Sequence, residues 1–367
     1  MVVVVPRVIY EFTFYFQKAD STKNLKFFLS HVFLGDFLED FGRFQTKNKI
    51  IIMEEQLWKA CSDGNVEDAQ RLLQDSQIDI NWQDYFHRTP FYIACQEGQI
   101  EIVKLLLNDE RIDIEKKNKK NQTPFHVACQ NGHIEIVKLF LIDQRVIKKI
   151  VLDCERTDSN TNASPKTDFI FSTSPFWIAC YEGRREIVKL LLNEKNLDIN
   201  LNERDENSRT PLYIACKKGH IEIVKILLHY EEVSTNSTEI FLATPFYAKI
   251  LSNDKRIDTN GTNKRNQTPF YIACKKGHIE IVKLLLYDER VDVNKATFDG
   301  KTPFCAACEF GHIEIVKLLL NEKRISIRKK TSQGKTAIDI AKEENHSSIS
   351  KLIKEFDTGN FIFNNKL

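Results

Sequence analysis

Two kinds of short apolar run alternate along this chain, always in the same order. The first is typified by TPFYIAC (Thr89–Cys95) and the second by IEIVKLLL (Ile100–Leu107). In both, the apolar positions recur at three- and four-residue spacing, the period of an amphipathic helix. In the first run the threonine predicts an N-cap, and the proline predicts the first helical residue, where its missing N–H costs nothing. Gly98 follows, the residue type that most readily takes the left-handed conformation ending a helix. A polar stretch ending in D-x-N then leads to the next threonine. The predicted element is therefore a pair of helices of about eight residues each, too short to persist alone in water. The LLL segment must be buried against neighbouring pairs, each leucine contributing roughly 1.5–3 kcal/mol of transfer free energy. Stability in such a chain is a sum over contacts between adjacent units.

The period can be counted. Thr-Pro occurs at Thr89, Thr123, Thr210, Thr244, Thr268 and Thr302, with Ser174-Pro175 and Thr336-Ala337 as variants, at intervals of 34, 51, 36, 34, 24, 34 and 34 residues. Seven of the nine prolines fall at this one position, which rules out chance spacing. Cys61, Cys95, Cys129, Cys180, Cys216, Cys274 and Cys308 each stand three residues before a glycine, keeping the same time. Nine units are read in this way. The first, Glu54 to Asp84, lacks Thr-Pro and opens on a polar sequence, and the last, Gly334 to Phe356, has Asn345 where the glycine stood. Both suit capping units, which need a polar outer side. The 51-residue interval implies about 17 extra residues around Cys154–Asp168, a Ser/Thr/Asn-rich surface loop within 142–171. Loop-closure entropy grows slowly enough to tolerate it. The 24-residue interval omits the residues that would complete a helix pair, so the array is expected to bend, fray or divide between Glu231 and Asn266. The expected organisation is repeats one to five over 53–236, a degenerate shortened repeat over 237–265, repeats seven to nine over 266–357, and a tail over 358–367.

TPFHVACQNGHIEIVKLFL (Thr123–Leu141) and TPLYIACKKGHIEIVKILL (Thr210–Leu228) resemble ankyrin repeats, whose signature is T-P-L-H-x-A. Tetratricopeptide repeats share the 34-residue period but not the Thr-Pro, G-H-x-x-I-V or D-x-N elements. The usual ankyrin period is one residue shorter; the extra residue here follows LLL, in a loop that also lacks the family's glycine. The resemblance covers about residues 54–357. It implies an all-α solenoid of stacked helix pairs with hairpin tips, whose role is to bind other proteins through a concave groove and the tips. The positions that face that groove in the family are the two before each glycine. Here they are Gln96 and Glu97, Gln130 and Asn131, Tyr181 and Glu182, Lys217 and Lys218, Lys275 and Lys276, and Glu309 and Phe310. Their variation reads either as recognition or as neutral surface drift. The resemblance further implies that Asn81, Asn200 and Asn294 stand where some ankyrin proteins carry a hydroxylated asparagine, a position that is also a structural turn element.

Composition then narrows the function classes. Lys plus Arg number 53 and Asp plus Glu 51, a net charge of +2, so nothing pulls the chain as a whole toward nucleic acid or membrane. Lys116, Lys117, Lys119 and Lys120, with Lys264 and Arg265, add local charge at the tips, but few aromatic residues interleave with them as nucleic-acid binding would want. No window of about eighteen apolar residues occurs, and the start MVVVVPR has no basic residue ahead of its apolar run, a poor secretory signal. Nine cysteines, seven of them periodic core positions, point to a reducing interior and a cytoplasmic protein, with the nucleus as the other compartment. Cys305 and Cys308 form C-A-A-C without a second Cys/His pair, so no metal site is expected. His133, His220, His278 and His312 recur once per unit and read as structural. No catalytic or phosphate-binding motif and no cofactor site is present, and a non-enzymatic scaffold or adaptor is expected. Residues 1–52 hold nine of the 25 phenylalanines and no repeat. They are either an extension foreign to the native protein or an apolar segment that makes the chain a targeting subunit, anchored to a membrane or to a second protein.

Overall fold

The computed structural model describes residues 34–143, 145, 173–194, 197, 199–229 and 257–358, with side chains from residue 49 onward. Among the described residues there are sixteen helices and no strand. They form eight pairs: α1 (Leu34–Asp63) with α2 (Val66–Leu73), α3 (Pro90–Glu97) with α4 (Ile100–Leu107), and α5 (Pro124–Asn131) with α6 (Ile134–Ile142). Next come α7 (Pro175–Glu182) with α8 (Arg185–Asn193), α9 (Pro211–Lys218) with α10 (Ile221–His229), and α11 (Pro269–Lys276) with α12 (Ile279–Tyr287). The last are α13 (Pro303–Glu309) with α14 (Ile313–Leu320), and α15 (Ala337–Glu343) with α16 (Ser347–Asp357). First helices pack on first helices from α1 to α15, and second helices on second helices from α2 to α16.

The local chemistry follows the sequence pattern. The hydroxyl of Thr89 accepts the Tyr92 N–H at 3.0 Å and that of Thr268 accepts the Tyr271 N–H at 3.0 Å, each with proline at the first helical position. Both cap threonines are fully buried, so the hydrogen bond satisfies a group that water cannot reach. Each first helix up to α13 is followed by a glycine at positive φ, and α15 by Asn345 at φ +61°; Gly277, at φ +78°, is one of the positions where the left-handed turn is obligatory. The apolar side chains of both helices, together with the periodic cysteines, merge into one continuous core.

Three ladders of polar contacts bind successive pairs. The first runs along the helix–helix turn. The ring Nε2 of His133 donates to the Gln96 carbonyl at 2.9 Å, and His220, His312 and His346 do the same to Tyr181, Lys275 and Glu309 at 2.9, 3.0 and 3.1 Å. Where histidine is absent, Gln99 and Arg184 reach the carbonyls of Ser62 and Gln130 instead. These histidines are structural rungs. In the second ladder, the guanidinium groups of Arg111 and Arg145 donate to the carbonyls of Leu73 and Leu107 at 3.0 and 2.7 Å, satisfying the open end of the preceding second helix. The third passes through D-x-N. The Asn81 amide donates to the Arg111 carbonyl and accepts the Asp113 N–H, both at 2.8 Å, and Asn294 repeats this with Arg324 and Ser326 at 2.6 and 2.7 Å. Asn81 and Asn294 therefore hold adjacent hairpin turns together.

The expected break near Glu231–Asn266 is corrected by the packing of α9 directly on α11 and of α10 on α12. Every ladder crosses that joint: His278 donates to the Lys217 carbonyl at 3.3 Å, Arg290 to the Leu228 carbonyl at 3.3 Å, and the Asp258 N–H to Asn202 Oδ1 at 2.7 Å. The Tyr213 hydroxyl also receives the Asn263 amide at 2.9 Å and donates to Gln267 at 3.3 Å. The physical reason lies in the numbering. Thr210 to Thr268 is 58 residues, one 34-residue period with 24 residues added, and Ile257–Gln267 supplies a complete hairpin ahead of α11. The nine units become eight helix pairs among the described residues, and Thr244-Pro245, with the rest of 237–256, lies outside them. Of the expected loop over 142–171, Ile142 closes α6 and Asp143 and Arg145 are described, while 144 and 146–171 lie outside the described residues; α5 and α7 on either side pack together. The N-terminal boundary also moves, because α1 runs without interruption from Leu34 through Met53 to Asp63.

If 230–253 is an insertion, its removal joins His229 to Asp254 and restores the 34-residue spacing. That deletion is expected to leave unfolding free energy within about 1 kcal/mol of the parent, because closing a loop of this length contributes little. Urea titration followed by circular dichroism measures it, and loss of the folded state would mean that these residues are part of the stack.

Candidate functional site

The twelve predicted recognition residues occupy the last turn of six consecutive first helices, α3 to α13, or the position just after. None is buried: Glu97, Asn131, Lys218, Lys276 and Phe310 are exposed and the other seven are partly covered. The backbone explains why the side chains are free to vary. The carbonyl of the first residue in each couplet is the acceptor of the interface rung, so the main chain is fixed while its side chain is not.

The couplets fall into three groups along the stack. At the N-terminal end the contacts are amide and carboxylate: Gln96 donates to Glu97 at 2.8 Å, Asn131 to the Gln96 carbonyl at 2.8 Å, and Gln130 to Glu182 at 3.4 Å. In the middle stand Lys217, Lys218, Lys275 and Lys276 on the neighbouring helices α9 and α11. Partial burial holds the Lys217 ammonium below the usual lysine range, and the charges of Arg209, Lys276 and Lys218 add to that effect. At the far end Glu309 takes the Lys301 ammonium at 2.8 Å.

Aromatic rings mark both edges of the cationic group. Tyr181 is stacked on Trp177, with centroids 5.4 Å apart and planes at 19°, and the Lys218 ammonium lies 4.0 Å from the Tyr181 ring centroid. The Lys275 ammonium lies 4.7 Å from the ring of Phe310, which is 43% exposed. Both are cation–π pairs between successive helix pairs. Sequence reasoning named these residues but missed the pairing of Tyr181 with Lys218 and of Lys275 with Phe310. It also missed the adjacency of the two lysine couplets, having placed a shortened repeat between them. Among the tip lysines, for which few aromatic neighbours are expected, Lys119 has one. The Lys119 ammonium lies 3.5 Å from the ring of Tyr85, which is 78% exposed, and the Lys119 N–H donates to the Phe86 carbonyl at 3.0 Å. Tyr85 and Lys119 are 34 residues apart, so the signal was the repeat period itself.

The cysteines lie elsewhere. Eight free cysteines are described and all are buried. Burial pushes the Cys61 thiol up to about 12 and raises Cys95, Cys129, Cys180, Cys216, Cys274 and Cys308 as well. A raised thiol pKa removes the nucleophilic thiolate at neutral pH, so these side chains are packing elements. In the native protein at pH 7, a maleimide reagent is expected to label the periodic cysteines only after denaturant is added; mass spectrometry of a short native pulse checks this, and prompt labelling of several would contradict it. Among the described residues no group of three His, Cys, Asp or Glu side chains could hold a metal ion, and no helix is long and apolar enough to cross a membrane.

The paired helices, joined by hairpin turns, display a row of variable side chains over a repeated frame. Models of tandem ankyrin repeats match residues 57–150, 143–239 and 287–361, and a further ankyrin-repeat model matches 250–304. The chain belongs to the ankyrin-repeat family. No curated protein matches it significantly. Ankyrin repeats as a class mediate protein–protein interaction and are typically non-enzymatic.

Proposed function

We propose that this protein is a non-enzymatic scaffold or adaptor, in the cytoplasm, that binds partner proteins through the groove lined by the first-helix termini and through its hairpin tips. The observation that carries this reading is the contrast between frame and row. The residues that cap, close and bridge the helices are repeated from pair to pair, while the couplets from Gln96–Glu97 to Glu309–Phe310 vary in size, charge and aromaticity, with Lys-Lys alone occurring twice. A surface whose shape is fixed and whose side chains are free suits recognition without ordering cost. The exposed ring of Tyr85 and those of Phe298 and Tyr287, the last 87% exposed, supply the kind of aromatic anchor that dominates interface energetics.

The test is site-specific photo-crosslinking in cells of the source. A photoreactive residue placed at Asn131, Lys218 or Lys276 is expected to capture protein partners, whereas one placed at Glu135, Lys225 or Lys283 on the second helices is not. Equal capture from both faces, or capture only from the second helices, would reject the groove.

A further inference from the structure

The second-helix lysines are neutralised within their own helix. Lys104, Lys138, Lys225, Lys283 and Lys317 each pair with a glutamate three residues earlier, at 2.7, 2.7, 2.8, 2.9 and 2.8 Å. The groove lysines are treated differently. Among the described residues Lys217, Lys218, Lys275 and Lys276 make no ion pair. They stand on adjacent helices, close enough for Lys276 and Lys218 to depress the protonation of Lys217. Arg209 adds a fifth positive charge beside them, although its guanidinium is paired with Asp205. Exposed Lys264 and Arg265 lie on the hairpin that leads to α11. Among the described residues Asp205, paired with Arg209, is the one carboxylate that acts on Lys217, and it offsets only part of the mutual repulsion; an incoming anion relieves the rest.

The edges of the cluster define the anion. Glu182 and Glu309 stand on the first helices either side of α9 and α11, so the positive stretch is two helix pairs long and ends in carboxylates. Packed helices lie about 8–10 Å apart, and an extended chain advances about 3.3 Å per residue. Two lysine rows therefore match acidic side chains three residues apart on a polyproline-II-like extended segment, where they share one face about 9 Å apart. A long uniform polyanion would meet Glu182 and Glu309 beyond either end. The Tyr181 ring is already engaged by Trp177 and Lys218, so a base stacking on it would compete with both contacts.

We propose that the groove formed by α9 and α11 receives a short acidic segment of a partner protein. Its carboxylate or phosphorylated side chains would lie between Lys217, Lys218, Lys275 and Lys276, and its apolar flank against Phe310. This rests on the groove reading above and names the chemistry of its ligand. The site exists only because residues 58 positions apart in the sequence occupy adjacent rungs, which places two Lys-Lys couplets side by side.

The experiment selects ligands from a random peptide library displayed on phage, using the full chain as bait, and then measures synthetic versions by fluorescence anisotropy. Selected peptides are expected to be rich in Asp and Glu. Their affinity is expected to fall about tenfold or more in Lys217→Glu/Lys276→Glu, to stay unchanged in the outer-face control Lys225→Glu/Lys283→Glu, and to weaken as salt rises. Circular dichroism confirms that both variants stay folded. A phosphorylated version of a selected sequence, set beside its Glu version, distinguishes the two sources of negative charge, and tighter binding of either supports the site. Peptides that crosslink to groove positions, yet are not acidic and bind Lys217→Glu/Lys276→Glu unchanged, would overturn this inference and leave the groove reading standing. Failure to select any peptide, or selection only of peptides that crosslink outside the groove, would overturn both. A single-stranded oligonucleotide that binds more tightly than the acidic peptides would replace the protein segment with nucleic acid and overturn the inference.

Discussion

Phe270→Ala is expected to remove about 3–5 kcal/mol of unfolding free energy, the cost of deleting a large buried ring and leaving a cavity. Phe270 is fully buried at the start of α11, and α11 packs on both α9 and α13. The ring therefore sits at the joint the sequence interval had called into question. Neighbouring pairs depend on one another for burial, so the loss is expected to weaken the array on both sides of α11. Urea unfolding followed by circular dichroism gives the magnitude, and hydrogen exchange in α7 to α10 and in α13 to α14 gives its reach. A loss below about 1 kcal/mol, or one confined to α11 to α16, would mean that the two sides are not packed through this residue.

Gly277→Val is the second large effect, and its origin is different. Gly277 has φ +78°, where an L side chain costs roughly 1–2 kcal/mol and a β-branched one more. A Cβ there would also stand 2.7 Å from Cε1 of the His312 ring, which must then move away from the Lys275 carbonyl it bonds at 3.0 Å. Losing that bond adds about 1 kcal/mol. The expected total is about 2–4 kcal/mol, read as a lower urea midpoint with an unchanged m-value. A second variant, His312→Ala, is expected to lose only the smaller, hydrogen-bond share. If the two variants lost the same amount, the backbone conformation would not be the source.

Most of the fold was legible because the same physical solution is written many times. Thr-Pro, the apolar face and the closing glycine appear in almost every unit, so local propensity, periodicity and capping agree, and the structure follows them from Thr89 through Glu343 wherever it is described. The structural role of His133, His220, His278 and His312 was legible for the same reason, since a catalytic residue has no cause to recur at every rung. The expected break came from the same source as the success. Thr244-Pro-Phe-Tyr-Ala carries the local signature of a unit start, and counting signatures made it a repeat. A helix pair also needs a second apolar run to bury, and none follows at the required distance. The complete hairpin and helix pair from Ile257 onward is what the stack selects, because Ile257, Phe270 and Ile281 can all be buried there. The cation–π contacts were hidden for a related reason. Tyr181 and Lys218 come from units separated by an irregular interval, so their meeting depends on register in the assembled stack and not on any local pattern.

The account depends most on α9 and α11 being neighbours, since the continuous array and the four-lysine groove both follow from it. Amine cross-linking of the native full chain, with a spacer of about 10 Å to match the separation of packed helices, tests that directly. Tryptic mass spectra are expected to show intramolecular links from Lys217 or Lys218 to Lys275 or Lys276. If the native monomer gave no link between the two lysine couplets while other lysines in adjacent pairs reacted, the array would be divided at this point and the groove would not exist.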